Sequence, residues 1–395
     1  MAVATNIRPT ISLKERDRRY AAIRAQMKER GVDAAIVTGT NLFYLTNELP
    51  GERFGLLTAE GSAFVLLNPR HLADISAQVL IDAQDWVKDI APGDGPEPFV
   101  QRLEALKLAN GTVGITRGFS FEFRRALTSG LPNAKIVDVT DLFLDLRTIK
   151  SDEEIAMIEY ANQVFDAAVE RVHEVAHVGM TGAQVIQEGV KAMWEAGGDL
   201  DSTFGFSFGA VPAQNPILGW MSHDRVIQRG DVGTLTAHAE YLHYAGHSDQ
   251  EIVFGNPKAL HQDIFKAVIE VRDLVLKAVK PGVTQQDLID VYREACKGTG
   301  FRSSPHSQIH QYGIDVPEFP GPGFVLKSEQ ATGRAAVMGS RGNFALKAGM
   351  IYSISPTLIA ADSEDTLLGG TSLVVTEDGY RNLGDRKVEL LVNPA

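Results

Sequence analysis

The sequence predicts a two-domain α/β protein: an N-terminal block of strands alternating with helices over residues 1–150, and a second α/β domain over 151–395. Three observations carry this. The chain has 395 residues, and domains average roughly 100–200 residues. Its first 150 residues alternate short apolar runs with amphipathic segments, the pattern of a sheet flanked by helices. The remainder holds an internal repeat, in which residues 169–198 (VERVHEVAHVGMTGAQVIQEGVKAMWEAGG) echo 271–300 (VRDLVLKAVKPGVTQQDLIDVYREACKGTG). Gly179 and Thr181 match Gly282 and Thr284 at a constant offset of 103 positions.

Residues 12–31 read as one helix, with Ala21, Ala22, Ile23 and Met27 as its apolar stripe and Gly31 as its stop. Asp33–Gly39 is a short buried-strand pattern. Phe54–Thr58 and Ala63–Asn68 flank a turn-forming Ala-Glu-Gly-Ser and predict a hairpin. Helices are expected around 71–82, 97–109 and 120–129, with strands at 112–116 and 135–139. Asp141–Glu154 is the expected boundary, where Ser151 and Glu154 have capping-box spacing and open a helix that runs to about Ala176. Each half of the repeat reads helix, Gly-x-Thr turn, helix, Gly, with the Thr as N-cap. Sheet-like segments follow at Val232–Phe254, Ile309–Phe324 and Met350–Ile359. Two such halves facing each other enclose a cleft suited to a small molecule.

Composition narrows the function. Lys and Arg number 38 against 50 Asp and Glu, a net charge of −12, which argues against a nucleic-acid or anionic-membrane surface. Cys296 is the one cysteine, so no internal disulfide forms, and a reducing, cytoplasmic setting is expected. No run of about 18 uncharged apolar residues occurs, and the N-terminal residues show no apolar signal core before their charges.

Four ordered motifs then stand out: Asp224-Arg225 with Gly230-Asp231 and a following strand; Ile309-His310-Gln-Tyr-Gly313-Ile-Asp315-Val-Pro317-Glu318; Leu346-Lys-Ala-Gly349-Met350-Ile-Tyr-Ser-Ile-Ser355-Pro356; and Val374-Val-Thr-Glu-Asp378-Gly379. Together they resemble the M24 group of methionine aminopeptidase, Xaa-Pro dipeptidase and creatinase. The resemblance implies a creatinase-type N-terminal α/β domain and a C-terminal pita-bread domain, two βαβ-like pseudo-repeats around a curved antiparallel sheet. It also implies a homodimer paired through the N-terminal domains, with Tyr44 and Arg53 of the 41–53 loop as polar candidates for binding substrate in the neighbour's cleft.

The same resemblance maps the five ligands of the family's two-metal centre onto Thr236, His247, His310, Ser355 and Gly370. One of the five keeps its type. Hydroxyls are poor divalent ligands beside carboxylates, and glycine offers none. The expectation is therefore a metal-independent, creatinase-like enzyme rather than a metallopeptidase, with no cofactor, hydrolysing an amide, amidine or urea-type C–N bond of a small polar molecule, a lyase being the variant. Creatinase's own catalytic His falls on Gly219, so another proton carrier is needed.

Histidine concentrates where that carrier is sought: His223, His238, His243, His247 and His310 lie between 223 and 310. Imidazole titrates near neutrality and can take and return a proton within one cycle. His310 and His247 with Glu318 are the expected catalytic group. His238, Thr236, Ser355, Tyr312, Trp220 and His223 are expected to bind substrate, the aromatic rings as cleft walls. Asp249 and Glu251 alternate with His247 and share its strand face, where a solvated edge is the plainer alternative. Two other readings stand beside this one: a mononuclear zinc or iron enzyme on His238, His247 and His310, and a non-catalytic binding module.

Overall fold

The computed structural model describes residues 8–47, 49, 51–70, 77–208, 224–303, 308–316, 318, 323–324, 344–363, 365–384 and 386–393. The chain divides into two compact units, Ile11–Arg147 and Met1–Thr10 with Thr148–Ala395.

In the first unit Ser12 caps α1 (Leu13–Glu29), its hydroxyl accepting from the Glu15 N–H. There follow β1 (Ala34–Val37), α2 (Thr40–Thr46), β2 (Glu52–Thr58), β3 (Phe64–Leu67), α3 (Ala77–Ala83), β4 (Asp89–Pro92), α4 (Glu97–Ala105), β5 (Thr112–Ile115), α5 (Phe121–Gly130), β6 (Lys135–Asp138) and α6 (Thr140–Thr148). The six strands form one sheet in the order β4-β3-β2-β1-β5-β6. The β1–β2 and β2–β3 pairs are antiparallel and the other three parallel. Ile36 and Val113 of the sheet pack with Phe99 and Leu127 of the helices. α4 stops short of the expected 109 because Lys107 takes a positive φ of 60°, which a helix cannot continue through. Residues 140–148, expected as part of a boundary, form α6 with Leu142 and Phe143 wholly buried. Residues 71–76 of the helix expected at 71–82 lie outside the described residues.

The second unit opens with α7 (Asp152–Val175), where Ser151 and Glu154 complete a reciprocal capping box. Thr181 with Gln184 caps α8 (Gly182–Glu195) in the same way. After β7 (Thr203–Phe208), β8 (Val232–Tyr241) and β9 (Tyr244–Phe254) come α9 (Ala259–Ala278) and α10 (Gln285–Lys297), the latter capped by Thr284 with Asp287. The remaining strands are β10 (Arg302–Ser303), β11 (Gln308–Gln311), β12 (Gly323–Phe324), β13 (Ile351–Ser355), β14 (Thr357–Ile359), β15 (Thr366–Leu368), β16 (Thr371–Val375), β17 (Tyr380–Asn382) and β18 (Leu391–Asn393).

The sequence repeat is also a repeat of hydrogen bonds. Gly179 N–H donates to Ile227 O, Gly182 N–H to Arg225 O, and Ile227 N–H to Met180 O. The second half repeats all three with Gly282 to Leu346, Gln285 to Phe344, and Leu346 to Val283. Each helix entry is thus stapled to a returning strand segment, and each half contributes a sheet. The first is ordered β18-β9-β8-β7; the second half forms β12-β11-β13-β16-β17 and a small β10-β14-β15 sheet.

Every residue of β9 is buried. One close approach fixes its height under α7: a Cβ on Gly246 would overlap the backbone of Ala161 and Asn162. The neighbouring His247 carbonyl accepts the Ser372 hydroxyl from β16. β9 is thereby tied to the helix on one side and to the second sheet on the other.

Candidate functional site: a buried row of imidazoles around Asp249

The β8–β9 hairpin turns on two residues, Leu242 and His243, both with positive φ (46° and 61°), the backbone that a two-residue hairpin requires. Neither is glycine. Asp199 secures them by accepting both N–H groups, at 3.0 and 2.8 Å. The turn sets the register His238↔His247, Thr236↔Asp249, Thr234↔Glu251, and strand alternation puts all six side chains on one face.

Those pairs interact directly. The His238 and His247 rings stand 4.8 Å apart, and His310 from β11 brings a third ring 5.1 Å from His247. Asp249 Oδ1 accepts the Thr236 hydroxyl at 2.7 Å and its Oδ2 accepts the Ser355 hydroxyl at 2.9 Å. Gly370 completes the arrangement by leaving space: a Cβ there would lie 2.7 Å from both Asp249 Oδ2 and Ser355 Oγ. The five positions singled out by the family resemblance therefore converge, with Asp249 at their centre. Sequence reasoning noted only that Asp249 shares a face with His247. Its importance comes from the second sheet, which covers the strand and makes a solvated edge impossible.

Burial sets the charge states. Desolvation, reinforced by the neighbouring His247, lowers the His310 pKa to about 3, and the same two causes lower His238 to about 4. Both imidazoles are neutral at pH 7. His310 Nδ1 is bonded to the Gln311 carbonyl at 3.1 Å and His247 Nδ1 to the Ala237 carbonyl at 3.2 Å. A carbonyl only accepts, so each Nδ1 carries a proton, and in the neutral His310 ring Nε2 keeps its lone pair. His310 Nε2 is fully buried without a hydrogen-bond partner among the described residues. Glu251 is fully buried; desolvation raises its pKa to about 8, against hydrogen bonds from Leu368 N–H and the Thr234 hydroxyl.

The other expected site residues fall in different places. Glu318, expected as the partner base of His310, gives its carboxylate to Lys150 at 2.5 Å in a fully buried ion pair. It bears on His310 through the main chain instead, since Glu318 N–H donates to the same Gln311 carbonyl, at 2.8 Å, that holds His310 Nδ1. Lys150 was not singled out; it lies 168 positions away with no local signal. Tyr312 is buried, its ring 6.1 Å from His247 and its hydroxyl accepting from Asn162. Tyr44 is buried in the core of the N-terminal unit beneath the Arg19 guanidinium, and Arg53 is exposed on β2 of that unit. Trp220 and His223 lie outside the described residues.

The chain belongs to the metallopeptidase family M24: that family's model matches residues 156–380, and the creatinase/prolidase N-terminal domain model matches 19–149. It is 24% identical over 381 residues to a Xaa-Pro dipeptidase of Pyrococcus horikoshii, covering 92% of this chain and 96% of that one. A creatinase of a Bacillus species is 23% identical over 413 residues, covering 95% and 92%. The solved Xaa-Pro dipeptidase from Bacillus anthracis superimposes with a TM-score of 0.79 at 20% identity, over 96% of this chain and all of that one, a likeness of fold. These findings correct the expectation of a metal-independent, creatinase-like enzyme outside the metallopeptidases. The family is a metallopeptidase family, and a Xaa-Pro dipeptidase matches the chain over 92% of its length. The broader expectation of a hydrolase stands. Among the described residues, no helix is long and apolar enough to cross a membrane.

The site's donors can be tested against the metal the family implies. They do not suit a pair of ions: the Thr236 and Ser355 hydroxyls are spent on Asp249, and Gly370 has no donor. Two of them come nearer to suiting one ion: His247 and His310 each have Nδ1 bonded to a carbonyl, the outer bond that orients a histidine's Nε2 toward zinc and its neighbours. The one described trio whose donor atoms already lie within 4.8 Å of each other is elsewhere, at Asp199, Glu240 and His243. Both Asp199 oxygens there serve the hairpin turn.

Proposed function

We propose that the chain is a peptidase cleaving the amide bond of a dipeptide-sized substrate, of the Xaa-Pro kind acted on by its named relatives, at the face shared by His238, His247, His310 and Asp249. The observation that carries the reading is the fully buried Nε2 of His310, without a partner among the described residues and facing a second Nδ1-bonded imidazole. A buried polar atom without a partner costs about 1–3 kcal/mol, a cost that a bound ligand removes.

One divalent ion would be held by His247 and His310 through Nε2, with His238 as the third imidazole. When bound, it supplies polarisation of the scissile carbonyl and a water of lowered pKa. The chain's own residues do the rest. Asp249 has accepted one hydrogen bond at each oxygen and retains a lone pair on each, so it can take the proton of the attacking water and return it to the leaving nitrogen. Thr236 and Ser355 hold that carboxylate in place. Tyr312 walls the face and excludes water. The same reading keeps a cytoplasmic homodimer, which light scattering on the purified chain tests.

The direct test is hydrolysis of a series of Xaa-Pro and Xaa-Ala dipeptides after dialysis with zinc, manganese or cobalt, with bound metal measured by mass spectrometry. Turnover should accompany about one equivalent per chain, and His310→Ala should lose that equivalent and most of the turnover with it. Absence of dipeptide turnover under every metal, or full turnover in His310→Ala, would refute the reading.

A further inference from the structure

A cavity of about 870 Å³ opens on the second unit, walled by α9, β17 and the segment that follows it. It is distinct from the imidazole face. Its Arg386 bonds Ser248 and Gln250, which alternate with His247 and Asp249 and point to the other side of β9. In a chain of net charge −12, the described lining is basic, with three arginines and two lysines against Glu159 and Asp273.

The arginines are already engaged: Arg381 with Glu159, Arg272 with Asp273, and Arg386 with Asp166. Those pairs cancel most of the arginine charge while fixing the guanidinium planes. Lys277 and Lys387, both exposed, make no ion pair with any described residue. The cavity thus combines a rigid, charge-balanced rim with two uncommitted ammonium groups. Like charges gathered along one concave wall raise the local potential and draw in an anion. Tyr380, partly exposed on the rim, adds a ring with one polar end.

We propose that this cavity binds a small polyanion bearing two or more phosphate or carboxylate groups, with Lys277 and Lys387 as its charge partners. Ammonium groups suit such a ligand as point charges that follow a flexible anion. The binding is electrostatic, so affinity falls as ionic strength rises.

Isothermal titration of the full chain at low ionic strength, with tripolyphosphate in one arm and citrate in the other, tests this. At least one probe should bind. The Lys277→Ala/Lys387→Ala double variant, with its melting temperature unchanged, should bind that probe about tenfold more weakly or worse, a difference of about 1.4 kcal/mol. Binding of tripolyphosphate alone assigns phosphate chemistry, and binding of citrate alone assigns carboxylate chemistry. Failure of both probes to bind below about 1 mM, or equal binding by the double variant, overturns the proposal. Dipeptide turnover enters neither arm, so this result is independent of the peptidase reading.

Discussion

Replacing Glu251 by Gln should stabilise the protein, and by an amount that grows with pH. Glu251 is fully buried on β9, accepting from Leu368 N–H and bonded to the Thr234 hydroxyl, and its pKa is raised from 4.5 to about 8 by desolvation. The folded protein therefore holds a proton there that the unfolded chain releases above pH 4.5. Stability linked to that proton is intact below pH 4.5 and is lost as pH rises toward 8. Each unit of pH in this window costs about 1.4 kcal/mol, which comes to about 3 kcal/mol at pH 7 and under about 1 kcal/mol at pH 5. An amide of the same shape keeps both hydrogen bonds, with its oxygen accepting from Leu368 and its nitrogen donating to Thr234, and has no proton to lose. For a unit of this size the pH 7 difference is on the order of 6–12 °C in melting temperature. Thermal melts of the wild type and Glu251→Gln at pH 5, 6, 7 and 8 give the comparison. A difference that is flat across those pH values would show that Glu251 carries no bound proton in the fold and would refute the argument.

Two further outcomes follow from the same unit. Lys150→Met takes the ammonium partner from the buried Glu318 carboxylate and should destabilise by about 3–5 kcal/mol, whereas adding Glu318→Gln should recover much of that loss in denaturant melts; equal stability of the wild type and Lys150→Met would show the pair to be idle. Gly370→Ala places a methyl group 2.7 Å from Asp249 Oδ2 and Ser355 Oγ, and should lower dipeptide turnover by up to about 100-fold at a stability cost of about 1–3 kcal/mol; unchanged turnover would remove Asp249 from the proposed chemistry.

The sequence carried the architecture well where the physics is local. Capping boxes at Ser151, Thr181 and Thr284 are written within four residues, and the repeat is a matter of spacing. It carried the site poorly where partners are distant. Glu318 answers to Lys150 across the whole second unit, and nothing near either residue announces it. Asp249 was visible as a neighbour of His247 by alternation, but its role depends on Ser355 from another strand and on the space at Gly370. Helix α6 was missed because Asp141–Thr148 was weighed as a boundary rather than as a buried face. The activity was misread for a different reason: substituted ligand positions were taken to mean abandoned metallopeptidase chemistry, although residue identities at five positions do not settle what a neighbouring carboxylate and three imidazoles can hold.

The two-residue turn at Leu242-His243 makes the β8–β9 hairpin behave like a ratchet with a step of two. A one-residue slip of β9 against β8 would reverse the parity of their pairing: His247, Asp249 and Glu251 would leave the face that meets His310, and Ser248 and Gln250 would take their place. A two-residue slip restores the facing but sets His238 against a different residue. Gly246, which has to meet Ala161, opposes either slip, so the pairing is held both at its turn and under α7. A longer loop grafted at the turn keeps the site only if the pairs His238↔His247 and Thr236↔Asp249 survive it.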